Sequence, residues 1–95
     1  TEIDVNSGKF TGKRESNKED TILKVNEEAT VEIAKQLRLR NISGIIVVDY
    51  IDMENDDDRN IILQLLEKQM KKDRSKNQII GFTKLDLLEL TRKKM

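Results

Sequence analysis

The sequence predicts an α/β domain: a mixed, mostly parallel sheet of four to five strands with two main helices, in the order β-α-β-α-β-β. Three observations predict it. Apolar residues recur at helical spacing in two separate segments. An uninterrupted β-branched run, Ile45-Ile46-Val47-Val48, lies between them. Two further β-like runs follow the second helical segment, separated by a short polar turn.

The elements follow in chain order. Thr1–Val5 reads as a short strand, with Ile3 and Val5 on one face and Glu2 and Asp4 on the other. Asn6-Ser7-Gly8 is turn chemistry, and Lys9–Thr11 reads as a short returning strand. Gly12–Asp20 is polar and mixed in charge, the composition of an exposed loop. Asn26 is a good N-cap for a helix over Glu27–Arg40, because Glu27 and Glu28 would sit at its positive end and Arg38 and Arg40 at its negative end. Ala29, Ile33 and Leu37 form its apolar stripe, and Asn41 or Gly44 ends it. The run Ile45–Val48 suits a central strand buried on both faces and closes on Asp49.

Ile61, Ile62, Leu65, Leu66 and Met70 then predict a helix from about Asn55 to Asp73. Gln78–Phe82 is another strand. Gly81 and Thr83-Lys84 suggest a hairpin turn, so Leu85–Arg92 is read as the last strand, with Leu88 and Leu90 on one face. Two crossovers should each set parallel neighbours side by side. The final pair, close in sequence, should be antiparallel.

Composition removes several classes of function. The 95-residue chain has no Cys and no His. Thiolate nucleophiles, imidazole bases and Cys or His zinc sites are therefore excluded, and any catalysis rests on carboxylates, amides, hydroxyls, Lys, Arg or a hard metal ion. Net charge is zero, from 18 basic and 18 acidic side chains, so bulk charge does not argue for nucleic acid. No apolar run is long enough to span a bilayer, and the first residues do not form a signal peptide. The absence of Pro and of any low-complexity linker reads as one unit over residues 1–95.

Two carboxylates stand where open α/β sheets place their chemistry, beyond the carboxyl ends of strands: Asp4 and Asp49. A β-α-β unit would set those strands side by side, about 4.8 Å apart. Two carboxylates there could share one Mg²⁺, whose oxygen ligands lie at about 2.1 Å. Asn6, two residues beyond Asp4, would project to the same side and could orient a carboxylate or a water. Such an oxygen-rich, half-open site suits Mg²⁺ better than zinc. Against this stands the plain reading of Asp4 and Asp49 as turn and cap residues.

A second acidic run, Asp52–Asp58, imitates a calcium loop. It lacks the required Gly, which is replaced by Asp57, and the required Glu, which is replaced by Leu63, so it reads as the acidic start of a helix. Basic residues cluster at Lys9, Lys13, Arg14 and Lys18 and again from Lys68 to Lys76, interleaved with acids as on a solvated surface. With only Phe10, Tyr50 and Phe82 aromatic, no base-stacking platform is available. No Gly-rich phosphate loop supports nucleoside-triphosphate chemistry.

Several ordered segments carry a resemblance. Ile3-Asp4-Val5-Asn6-Ser7-Gly8-Lys9, Glu32–Arg40, Gly44–Met53, Asp73-Arg74-Ser75-Lys76 and Leu87–Lys94 together resemble the catalytic core of the ribonuclease E/G family. The likeness covers nearly the whole chain. It implies a DNase I-like subdomain, excised from a larger endoribonuclease that hydrolyses single-stranded RNA to leave a 5′-phosphate and a 3′-hydroxyl. It implies Asp4 and Asp49 as ligands of a catalytic Mg²⁺, with Mn²⁺ a substitute. It implies Asn6 as the hydrogen-bonding support of the carboxylate. Lys76, after Asp-Arg, and Lys9 are then candidate contacts to the RNA backbone.

The sequence departs from the family at Asp86, where a Gly is usual, and at Ser43, which replaces one of two common glycines. If the Gly position has φ > 0, Asp is among the few tolerable replacements. Family members carry an RNA-binding barrel and a 5′-end sensor before this segment and a zinc-binding Cys pair after it. The fragment is thus expected to hold no zinc, to be monomeric and to cleave slowly or not at all. The parent is expected to be a cytoplasmic homo-oligomer. The competing expectation is a non-catalytic α/β scaffold or RNA-associated interaction module.

Overall fold

A computed structural model describes residues 1–5 and 19–94, with the backbone course alone at residues 19 and 20. The expected turn at Asn6-Ser7-Gly8, the strand Lys9–Thr11 and the loop from Gly12 to Lys18 lie outside the described residues, as do Asn6 and Lys9 themselves. The described elements are β1 (Glu2–Asp4), α1 (Glu19–Leu39), β2 (Gly44–Asp49), α2 (Asp56–Met70), β3 (Asn77–Phe82) and β4 (Leu88–Arg92). This is the order the sequence predicts.

Helix α1 begins at Glu19, eight residues before the expected start, and takes in the last two positions assigned to a loop. Asn26 is therefore not its N-cap but an interior residue with no exposed surface. The helix buries Asn26, Ala29, Thr30, Ile33, Ala34 and Leu37, a single stripe at 3.6-residue spacing. It ends as expected at Asn41, whose φ of 51° is the left-handed conformation that Asn tolerates. There the Ile42 amide donates to the Leu37 carbonyl at 3.1 Å and the Asn41 amide to the Arg38 carbonyl at 3.2 Å, so that the last carbonyls are satisfied by a Schellman turn.

Helix α2 starts where Asn55 caps it, the side chain accepting a hydrogen bond from the Asp58 amide at 2.8 Å. Asp56, Asp57 and Asp58 occupy its first turn, the bland outcome for the acidic run. It ends three residues before the expected Asp73. Ile62, Leu66, Gln69 and Met70 face inward.

Among the described residues the sheet has four strands in the order β1-β2-β4-β3. β1 and β2 are parallel, but β2 with β4 and β4 with β3 are antiparallel. The expectation of a mostly parallel sheet is thus corrected: only the first crossover delivers parallel neighbours. The tight turn after β3 sends the chain back as β4, and β4 takes the position beside β2. Leu88 and Leu90, both without exposed surface, give β4 the residues of a central strand. β3, carrying an irregularity between Ile79 and Gly81 and a largely exposed Ile80, is left as the edge.

The β2 expectation is corrected as well. Ile46 and Val48 are buried, but Ile45 is 62% exposed, so β2 is covered on one face only. The register explains this. Ile46 pairs with Leu90 and Val48 with Leu88, and both pairs join one core with residues of α1 and α2. Both helices therefore cover the same face, and among the described residues no element packs on the opposite, open face. Among the described residues, no helix is long and apolar enough to cross a membrane.

Candidate metal site at the ends of β1 and β2

Parallel pairing fixes the geometry of the two predicted carboxylates. Glu2 aligns with Val47, Ile3 with Val48 and Asp4 with Asp49. Aligned residues of neighbouring strands project to the same face. Val48 is buried under the helices and Ile3 packs against the same core, so Asp4 and Asp49, one step on, project to the open face. Each is the last residue of its strand. The structure thus brings together two residues 45 positions apart, at the strand spacing of about 4.8 Å.

Electrostatics mark the same spot. The Asp49 carboxyl is held above its ordinary value, first by the protein packed around it and then by the negative charges of Asp4, Asp52 and Glu2. A carboxylate crowded by other carboxylates is a place where a divalent cation lowers the energy. The donors are hard oxygens, the set a magnesium ion takes. Asp4 and Asp49, strand neighbours on a rigid sheet, fit such an ion as its two anionic protein ligands. No group of three or more Asp or Glu residues converges as a complete metal cage among the described residues. Any further ligands would then be water, as is usual for magnesium.

Behind the pair, the chain leaving β2 is held from α1. Asn26 Nδ2 donates to the Ile51 carbonyl at 3.0 Å, and the Ile51 amide donates to Asn26 Oδ1 at 3.2 Å. Thr30 Oγ1 bonds the Asn26 carbonyl at 2.7 Å and the Tyr50 hydroxyl at 2.6 Å. Burial pushes the Tyr50 hydroxyl up to about 12, partly offset by its bond to Thr30. The sequence reading missed these residues, having taken Asn26 for a cap. The available signal was register: Asn26 and Thr30 lie in the apolar stripe of Ala29, Ile33 and Leu37, where a polar side chain needs a buried partner.

Lys76 is not brought to the carboxylates. It precedes β3 at the end of the sheet where Gly44 aligns with Arg92 and Arg92 with Asn77. That end lies roughly 16 Å along β2 from Asp49. There Lys76 borders a shallow depression with Gln78, Thr91 and Lys93 on the open face. Among the described residues no carboxylate forms an ion pair with Lys76.

The departure at Asp86 is accounted for by the backbone. Asp86 has φ 61°, and its carboxylate reaches Arg59 of α2 at 3.3 Å.

Comparison with known proteins agrees with the resemblance over the full chain. The family model described as "Ribonuclease E/G family" matches residues 1–95. Ribonuclease G of Salmonella typhimurium is 52% identical over 94 residues, covering 99% of this chain and 19% of that protein. Ribonuclease G of Escherichia coli is 51% identical with the same coverage. Ribonuclease E of Nostoc sp. is also 51% identical, covering 99% of this chain and 13% of that protein. The chain spans about a fifth or less of the length of these relatives. With the whole of its length matched, the chain belongs to the ribonuclease E/G family.

Proposed function

We propose that this chain is the DNase I-like catalytic subdomain of a metal-dependent endoribonuclease, and that Asp4 and Asp49 hold a Mg²⁺ ion, or Mn²⁺ in its place. The reading is carried by one observation: the two carboxylates are register partners at the ends of parallel strands. Relatives named ribonuclease G and ribonuclease E supply the substrate class. Single-stranded RNA is the proposed partner of the parent enzyme, and Asn6, Lys9 and Lys76 are its proposed accessory contacts.

When bound, a magnesium ion supplies an acidified water and neutralises charge on a phosphate oxygen. The protein's own part is placement and field. Asp4 and Asp49 present two anionic oxygens from a hydrogen-bonded sheet, so their separation cannot drift as a loop's would. Asp52 and Glu2 add to the negative field that draws a cation in. Asn6, as an amide, would hold one carboxylate by hydrogen bonding. Lys76, at the far end of the open face, would hold RNA backbone several phosphates away from the carboxylates, fixing the strand without touching the reacting atoms.

The test is Mg²⁺-dependent cleavage of single-stranded RNA by the full-length protein and its Asp4→Asn and Asp49→Asn variants. Loss of cleavage in both, with folding intact, supports the reading. Retained cleavage in both overturns it and leaves the segment as a non-catalytic scaffold or RNA-associated module.

A further inference from the structure

We infer that Asn26 is a positioning residue for the carboxylate pair: through a buried network with Thr30 and Tyr50 it fixes the backbone beyond β2 and so sets where Asp49 points. This rests on the proposed metal role of Asp4 and Asp49 and extends it to a residue on a different element.

Regular pairing of β2 ends at Asp49. Beyond it no ladder pairing holds the chain among the described residues, yet Asp49 needs a fixed direction if it is to meet Asp4. The structure supplies the missing restraint from α1. The Asn26 amide group pairs with both backbone groups of Ile51, accepting from its N–H and donating to its C=O. This imitates the hydrogen-bonding of a neighbouring strand. Tyr50, between Asp49 and Ile51, is anchored on the opposite face through its hydroxyl to Thr30. Its ring also packs near Phe82, with centroids 6.2 Å apart. Asn26, Thr30 and Tyr50 are each at most 2% exposed.

Alternation does the rest. With Tyr50 pinned toward the helices, Asp49 is turned to the open face. The same clamp limits the drift of Asp52, one residue beyond Ile51, whose charge acts on Asp49. A helix interior is a costly place for a buried Asn, since every one of its polar atoms needs a partner. Here both ends of the side-chain amide find theirs on Ile51 alone. A core requirement would be met equally by an apolar side chain; the two-point grip on a backbone next to Asp49 is what an apolar residue cannot reproduce.

The experiment measures Mn²⁺ binding to the full-length protein in the absence of RNA, by the loss of the free Mn²⁺ paramagnetic resonance signal, together with thermal unfolding. Wild type is expected to bind one ion that Asp4→Asn abolishes; if no such ion exists, the metal assignment itself falls. Given that ion, Asn26→Ala and Asn26→Asp are expected to weaken it about tenfold or more, the scale of outer-partner effects at metal sites. Asn26→Asp keeps the shape and the acceptor, and so reports on the donor to Ile51 should the alanine variant fail to fold. Tyr50→Phe removes the bond to Thr30 but leaves the Asn26–Ile51 pair, so it is expected to weaken Mn²⁺ binding by less than either Asn26 variant does while lowering the melting temperature. A folded Asn26→Asp variant with wild-type affinity overturns the inference and leaves Asn26 a purely structural residue.

Discussion

Arg92 grips the carboxylate of Asp73 with two hydrogen bonds, from Nε at 2.6 Å and from Nη2 at 3.2 Å, and both side chains are only 2% exposed. The remaining Arg92 nitrogen, Nη1, reaches Asn41 Oδ1 at 2.9 Å and the Ile42 carbonyl at 3.0 Å. One guanidinium thus ties the last residue of β4 to the turns that follow α1 and α2. Geometry of this fork-on-fork kind is what a planar guanidinium provides and an ammonium does not.

The pair predicts an acid-sensitive fold. Burial pushes the Asp73 carboxyl up, but the Arg92 hydrogen bonds and charge and the Ser75 amide outweigh it and hold the group below its ordinary value. The folded state therefore binds this proton less tightly than the unfolded chain. The stabilisation is fully present above the unfolded value of about 3.9 and is lost as pH falls through the lower folded value. Asp73→Asn, which strands a buried guanidinium, should cost about 3–5 kcal/mol at neutral pH. Urea unfolding at pH 7 and pH 3 checks both statements: the gap between wild type and variant should narrow at the acid end.

Asp49 predicts the opposite slope. Its carboxyl is raised in the fold, so the folded state holds the proton more tightly than the unfolded chain. The associated stability is present below the unfolded value and is lost as pH rises through the folded one. Without metal, Asp49→Asn should therefore match or exceed wild type in melting temperature at pH 7. Added Mg²⁺ should raise the melting temperature of wild type and leave the variant unmoved. A fall in metal-free stability of the variant at pH 7 would contradict the repulsion assigned to this corner.

Catalytically the two aspartates should be far more sensitive than any outer partner. Asp4→Asn and Asp49→Asn in the full-length protein should lower RNA cleavage by more than roughly 100-fold, beyond the upper range for groups acting through a ligand. Cleavage of a fluorescent single-stranded oligonucleotide over a Mg²⁺ series measures it, with circular dichroism as the control for folding.

Lys76 should behave as a distant phosphate contact. Lys76→Ala is expected to weaken RNA binding uniformly across sequences, leave the cleavage rate of bound RNA nearly unchanged, and reduce the salt dependence of binding by about 0.7 on a log–log plot. A change in the chemical step with unchanged affinity would place Lys76 at the reaction instead, against its position at the opposite end of the sheet.

At Asp86 two small effects oppose each other. Glycine would relax the left-handed backbone but give up the contact with Arg59. Asp86→Gly should therefore change stability by less than about 1 kcal/mol. Asp86→Val, β-branched at positive φ and without charge, should lose more than the glycine variant does. Thermal melts of the three proteins, read side by side, test the ordering.

Periodicity and strand-end position made much of this protein readable from its residues. The tolerance of Asp86 for positive φ was legible only through the family resemblance, whereas the order of elements, the apolar faces of both helices, the start of α2 near Asn55 and the Asn41 terminus depend on neighbours a few positions away. So does the siting of Asp4 and Asp49 at the carboxyl ends of strands; that one crossover would bring them together follows from the handedness of β-α-β units. What no local pattern carries is which strands become neighbours once the whole chain is packed. A hairpin return competed with a second parallel pairing, and the buried leucines of β4 took the place beside β2. That outcome left one sheet face without a covering element among the described residues and put Lys76 at the far end from the carboxylates. The same packing turned Asn26 from an expected cap into a buried clamp, because the partner that satisfies it, the Ile51 backbone, lies 25 residues away in sequence and meets it only when α1 settles on the sheet.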